Sequence, residues 1–94
     1  MLEGGCFCGF VRYRADGNPT HETNCHCSIC RRTSAAPFVT WFTIPAAEFA
    51  FTSGQPSELQ SSDHGSRTFC PRCGTLLTFR STRSPDEVDI TTCS

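Results

Sequence analysis

The sequence predicts a small, mainly β fold: two packed antiparallel sheets of short strands. Three observations carry that expectation. Apolar and β-branched residues fall in short runs closed by Gly, Pro, Asn and Asp. Helical spacing of apolar residues persists for no more than a turn or two. And 8 of the 94 residues are cysteine, a density at which thiol chemistry supplies the framework that a small core cannot. A chain of this length reads as one domain, residues 1–94. It buries about two-thirds or less of its unfolded surface, so a covalent or metal staple is expected.

Taken in order, FVRYR (residues 10–14) alternates apolar and polar side chains and closes at DGNP, the signature of a strand and turn. A turn or two of helix fits after Cys27 or over residues 45–48. FVTWFTI (residues 38–44) is rich in aromatic and β-branched residues and stops at Pro45. FAF (residues 49–51) is a third strand. Residues 53–65 are rich in Ser, Gly and Pro and read as a surface loop or irregular hairpin, with Leu59 and Gln60 a brief strand within it. TLLTF (75–79) and VDITT (88–92) complete six or seven strands, enough for a small sandwich or tent-like sheet pair.

Charge and hydropathy exclude several classes. The net charge is −1 and the basic residues are scattered, apart from Arg31 and Arg32. No nucleic-acid partner is therefore expected. No run approaches the roughly 20 apolar residues of a membrane span. The opening MLEGGCFCGF lacks a basic segment followed by an apolar run, so no secretory signal is expected and a reducing, cytoplasmic setting is. In that setting the cysteines read as metal ligands rather than disulfides. The sequence leaves homo-oligomerisation open.

The cysteines sort by spacing. Zinc–sulfur bonds of about 2.3 Å in a tetrahedron place sulfurs about 3.8 Å apart. An extended C-x-C sends both side chains the same way, and C-x-x-C reaches the same separation by turning. A glycine after the second cysteine permits the turn and frees N–H groups for sulfur. Cys6-Phe7-Cys8-Gly9 and Cys70-Pro71-Arg72-Cys73-Gly74 both have this form, and together they supply a closed structural zinc site. Cys25, Cys27 and Cys30 remain, in CHCSIC without the glycine, and Cys93 reads as a free thiol.

Three thiolates on one zinc leave a vertex, and an open vertex is what separates catalytic from structural zinc. His21, His26, His64 or Cys93 could fill it, although His26, between two ligands, should point away. A redox pair of Cys27 and Cys30 is a further reading. Three thiolates leave the site one net negative charge, which weakens Lewis acidity and suits holding an incoming thiol as its thiolate. The chemistry indicated is addition of a thiol to a carbonyl, or its reverse. Two zinc ions per chain are expected.

GGCFCGFVRY, CHCSICRR and RTFCPRCGTLLTF resemble, in order and spacing, the glutathione-dependent formaldehyde-activating enzymes, whose superfamily includes centromere protein V. VDITTCS resembles the family's late strand. The resemblance implies a zinc-bearing β-tent, with Cys6, Cys8, Cys70 and Cys73 on the structural metal and Cys25, Cys27 and Cys30 on the catalytic one. It implies a small thiol partner such as glutathione, joined to formaldehyde as S-hydroxymethylglutathione, formally a carbon–sulfur lyase reaction reversed. Members usually continue some tens of residues further, so the domain is expected to be short at its C-terminal end. After CRR they carry a Gly- or Ser-rich turn where TSAAPF stands here.

Arg31, next to the ligand loop, and Arg32 are candidates for a substrate carboxylate, against the alternative of two solvated arginines. Phe38, Trp41 and Phe42 are candidates for a pocket wall, against the commoner alternative that aromatic strand residues are core, and Asp86, Glu87 and Asp89 read as solvated charges. Asp63 and His64 have no nucleophile near them in sequence. The rival to an enzyme is a non-catalytic, zinc-stabilised binding module.

Overall fold

Strand β4 (Val39–Pro45) sets the layering, because both of its faces are buried. In this computed structural model, which describes residues 1–94, the other strands are β1 (Leu2–Gly5), β2 (Arg12–Ala15), β3 (Glu22–Cys25), β5 (Phe49–Ser53), β6 (Ser57–Gln60), β7 (Gly65–Phe69), β8 (Leu76–Ser81) and β9 (Glu87–Thr91). One helix, α1 (Ser28–Ser34), follows Cys27, and a 3-10 turn (Ala46–Glu48) follows β4. The chain is thus mainly β, in two antiparallel sheets: three strands in the order β1-β2-β5 and six in the order β3-β4-β9-β8-β7-β6.

Alternation along β4 and β9 divides the two faces of the larger sheet. Phe42, Ile44, Val88 and Ile90 point to one side and pack with Leu77 against Val11, Tyr13, Ala15 and Phe49 of the smaller sheet and its flanks. On the other side Val39 and Trp41 pack against Cys30 of α1, with Leu76 and Phe79 beside them. A register shift between Thr68 and Phe69 pairs Phe69 with Leu76 and Thr68 with Thr78. Leu77 is the extra residue of this bulge, and it is fully buried in the inter-sheet core. The buried hydroxyls are satisfied: Thr78 meets Thr68 at 2.6 Å and Thr91 donates to the Leu76 carbonyl at 2.9 Å.

The helical turn expected after Cys27 or over residues 45–48 forms at both places, as α1 and the 3-10 turn. Strands β1, β3 and β7 had no apolar alternation to announce them. LEGG and ETNC are too polar or too glycine-rich, and β7 carries an arginine, Arg67, at a buried position. The segment at residues 53–65 holds strand β6 rather than only Leu59 and Gln60, and it pairs with β7 as a hairpin.

Candidate metal centres

Cys6, Cys8, Cys70 and Cys73 converge from chain segments far apart, their sulfurs all within 4.8 Å of one another. Cys6 and Cys8 lie 3.6 Å apart and Cys8 and Cys70 3.8 Å, close to the tetrahedral edge expected around zinc. Each pair sits in a tight turn of the same design. The N–H of Gly9 donates to the Cys6 carbonyl and that of Gly74 to the Cys70 carbonyl, with φ of 82° and 81° at the two glycines. Freed N–H groups then reach sulfur: Val11 to Cys6 at 3.2 Å, and Arg72 and Cys73 to Cys70 at 3.3 and 3.4 Å. The Arg72 guanidinium lies 3.8 Å over the Phe10 ring, joining the two turns.

Hydrogen bonding biases Cys73 and Cys6 toward thiolate. The Thr75 hydroxyl and N–H hold Cys73 down to about 5. Burial opposes ionisation of Cys6, but the Val11 N–H and the Cys70 and Cys8 thiols bring it below the usual thiol value. Although the Phe10 N–H favours its thiolate, burial and the neighbouring thiols push Cys8 up to about 11. Four soft donors at these separations, none in a disulfide, fit a closed zinc site.

The second centre stands on the opposite face of the large sheet. Cys25 ends β3, Cys27 caps α1 and Cys30 lies in its first turn, and their sulfurs are mutually within 4.8 Å. The Cys27 sulfur accepts the Cys30 N–H at 3.3 Å, taking the part a Ser or Asp plays at an ordinary helix cap. That N–H is the main cause holding the Cys27 thiol down to about 7. Burial, reinforced by the Cys30 thiol, raises Cys25 to about 11.

No histidine or fourth cysteine joins the three. His26 turns away to stack on Phe38, His21 bonds Thr20, His64 bonds Thr82, and Cys93 is exposed. Above the sulfurs opens a cavity of about 290 Å³ lined also by Ile29, Trp41, Phe79, Thr23, Ser62 and Asp89. Three thiols facing one point, with room above them, fit a metal that keeps a vertex for a ligand.

Arg31 and Arg32 are exposed on α1 and outside the cavity lining. Trp41 fills both roles weighed for it, buried as a core residue and walling the cavity. Two further residues were read differently, or not at all, from the sequence. Asp89 is half-buried, lines the cavity and accepts the Thr43 hydroxyl at 2.5 Å, so it is no solvated edge charge. Arg67 is 4% exposed and donates through Nη2 to Cys30 at 3.5 Å. Nothing in the apolar pattern of β7 announces it.

Comparison with known proteins agrees with this fold. A family model described as "Glutathione-dependent formaldehyde-activating enzyme" matches residues 1–94. A Halomonas elongata protein named "Putative glutathione-dependent formaldehyde-activating enzyme" is 33% identical over 98 residues. That match takes in 94% of this chain and 61% of the relative, so the chain spans about three-fifths of the relative's length. A crystal structure of a Rhodobacter sphaeroides protein superposes with a TM-score of 0.83 over 98% of this chain and 85% of that one. At 21% identity this last likeness is one of fold.

Proposed function

Because the chain belongs to the glutathione-dependent formaldehyde-activating enzyme family, we propose that it is a zinc-dependent carbon–sulfur lyase-type enzyme. Its substrate is the adduct of formaldehyde with glutathione or a similar small thiol, made or cleaved in the cytoplasm. One observation carries this: three cysteine sulfurs converge beneath a cavity of about 290 Å³ with no fourth protein donor. In the forward direction a sulfur–carbon bond forms at the carbonyl carbon, and the thiol proton ends on the carbonyl oxygen to give the hydroxymethyl thioether.

Cys6, Cys8, Cys70 and Cys73 would hold one zinc and Cys25, Cys27 and Cys30 the other. Bound at the three-cysteine centre, zinc would keep an incoming thiol as its thiolate at neutral pH, a nucleophile directed at the aldehyde. Ile29, Trp41 and Phe79 form the apolar wall against which the sulfur and its methylene pack. The Thr23 and Ser62 side chains on the same lining offer hydroxyls to the polar parts of a thiol. Arg31 follows Cys30 in sequence and is exposed, so it suits a carboxylate on a part of the thiol that extends out of the cavity.

The test is exchange spectroscopy on labelled formaldehyde mixed with glutathione, because this addition also proceeds unaided. Protein loaded with two zinc ions should speed exchange between free aldehyde and adduct above that background. A Cys27→Ala variant that keeps one zinc should return it to background. Background exchange with the fully loaded wild type would leave the binding-module reading.

A further inference from the structure

We propose that Arg67 is the fixed counter-ion of the three-cysteine centre, balancing an anionic metal–thiolate cluster from inside the protein. The inference rests on the reading that Cys25, Cys27 and Cys30 hold a divalent metal.

Arg67 lies in β7 on the face turned to α1, opposite Phe79 in the neighbouring strand. Its Nε donates to the Ser61 hydroxyl at 3.1 Å and its Nη2 to the Cys30 sulfur at 3.5 Å. The guanidinium carbon sits 5.0 Å from the Phe79 ring centre and 5.6 Å from that of Trp41. Nη1 is buried with no hydrogen-bond partner. No carboxylate pairs with this cation: the molecule's one ion pair joins Arg14 and Asp16 at the surface. Asp89 lines the same cavity but accepts the Thr43 hydroxyl instead.

A guanidinium stays charged at any pH a protein meets, and leaving it buried without an opposite charge is strongly unfavourable. Aromatic faces offset part of that cost. The only other source of negative charge in contact with it is sulfur. Three thiolates around a divalent ion carry one net negative charge, equal and opposite to that of Arg67. The unpartnered Nη1 follows from the same arrangement, because the cation is balanced by a diffuse cluster rather than by a two-oxygen carboxylate. Nη1 is no hook for substrate, since it is enclosed, and exposing it would pull the group from between the Ser61 and Cys30 bonds. Arginine adds to the charge contacts that lysine lacks, because one planar group reaches Ser61 and Cys30 from two edges while lying over the rings. The positive charge also eases entry of a fourth, anionic sulfur, which would otherwise meet a cluster already negative. Arg67 is therefore a positioning residue acting through Cys30.

The experiment measures zinc affinity of the full chain by chelator competition in wild type, Arg67→Met and Arg67→Lys. Wild type should hold two ions. Arg67→Met should weaken the second ion at least about tenfold, about 1.4 kcal/mol, and leave the first unchanged. Arg67→Lys, which keeps the charge, should stay within about threefold of wild type, given that the interaction is coulombic. In protein holding only the first zinc, Arg67→Met should raise the melting temperature, because it removes an unbalanced buried cation; a purely structural arginine would show the reverse. Equal second-site affinity in Arg67→Met, or equal losses in both variants, would overturn the counter-ion while leaving the metal site intact. A wild type that binds a single zinc would overturn both. Should Arg67→Met fail to hold even the first ion, Arg67→Gln takes its place under the same criteria.

Discussion

Replacing one sulfur at each centre should have unequal consequences for stability, and the structure sets the difference. Cys8 and Cys70 face each other at 3.8 Å across a sequence separation of 62 residues. Cys25 and Cys30, the outer members of the other centre, are only five positions apart. Treating each bound metal as a cross-link, loop-closure entropy gives about 4 kcal/mol for the long loop and about 2 kcal/mol for the short one. A domain of this size has about 5–14 kcal/mol in total. Cys70→Ala therefore removes a large share of stability, whereas Cys27→Ala removes less and costs about 1 kcal/mol more through the lost helix cap. At about 4–8 °C per kcal/mol for a chain of this length, Cys70→Ala should melt several degrees or more below Cys27→Ala. Circular dichroism melts at matched free zinc, with zinc per chain counted by plasma mass spectrometry, read this directly. A Cys27→Ala protein that melts at or below Cys70→Ala would refute the division into a structural staple and a substrate-facing centre.

Two smaller predictions test local features. Ala35 ends α1 at φ 54° and ψ 36°, the left-handed position where glycine is favoured, so Ala35→Gly should stabilise by about 0.5–1 kcal/mol. Thermal melts check it, and an unchanged or lower melting temperature would mean that the cap is not strained. In protein carrying metal only at the four-cysteine centre, Cys27 should ionise first, near 7, and Cys25 only near 11. Thiolate is the reactive form, so iodoacetamide labelling of Cys27 should rise between about pH 6 and pH 8 while Cys25 stays unmodified; peptide mapping that finds Cys25 labelled as fast contradicts the geometry.

The cysteine spacing was legible because each ligand pair is local, and a turn of two or three residues decides whether two sulfurs can share a metal. Glycine at positions 9 and 74 marked those turns, and both take the positive φ that the spacing required. The middle strands were legible for a related reason. The core residues Phe42, Ile44, Val88 and Ile90 recur at every second position in runs long enough to show. What the sequence hid is decided by pairing across distance. Strand β1 exists because β2 pairs with it, and β3 because β4 does, while their own residues have little strand preference. Arg67 was hidden more deeply. A buried arginine can be foreseen only once its compensating charge is known to lie beside it, and that charge comes from cysteines 37 positions away.

The difference between the two centres follows from which side of the large sheet each one faces. One side is covered by a second sheet, and Cys6 and Cys70 are part of the core formed there. With Cys8 and Cys73 added from the edge of that core, four sulfurs complete a tetrahedron and leave no vertex for a guest. The other side is roofed by a helix of 7 residues, too short to cover six strands. Across that side runs a row of paired residues, Arg67 beside Phe79, Phe79 beside Asp89, and Asp89 beside Thr43. No close-packed hydrophobic layer can be built on a row of such mixed polarity, so space persists above it, and the three cysteines stand at its edge. Because strand side chains alternate with period two, moving β8 or β9 by one residue would exchange core and cavity faces together. The register that packs Val88 and Ile90 inward is thus the register that turns Phe79 and Asp89 toward the open sulfurs, and the stability of the fold and the accessibility of its second centre have one origin.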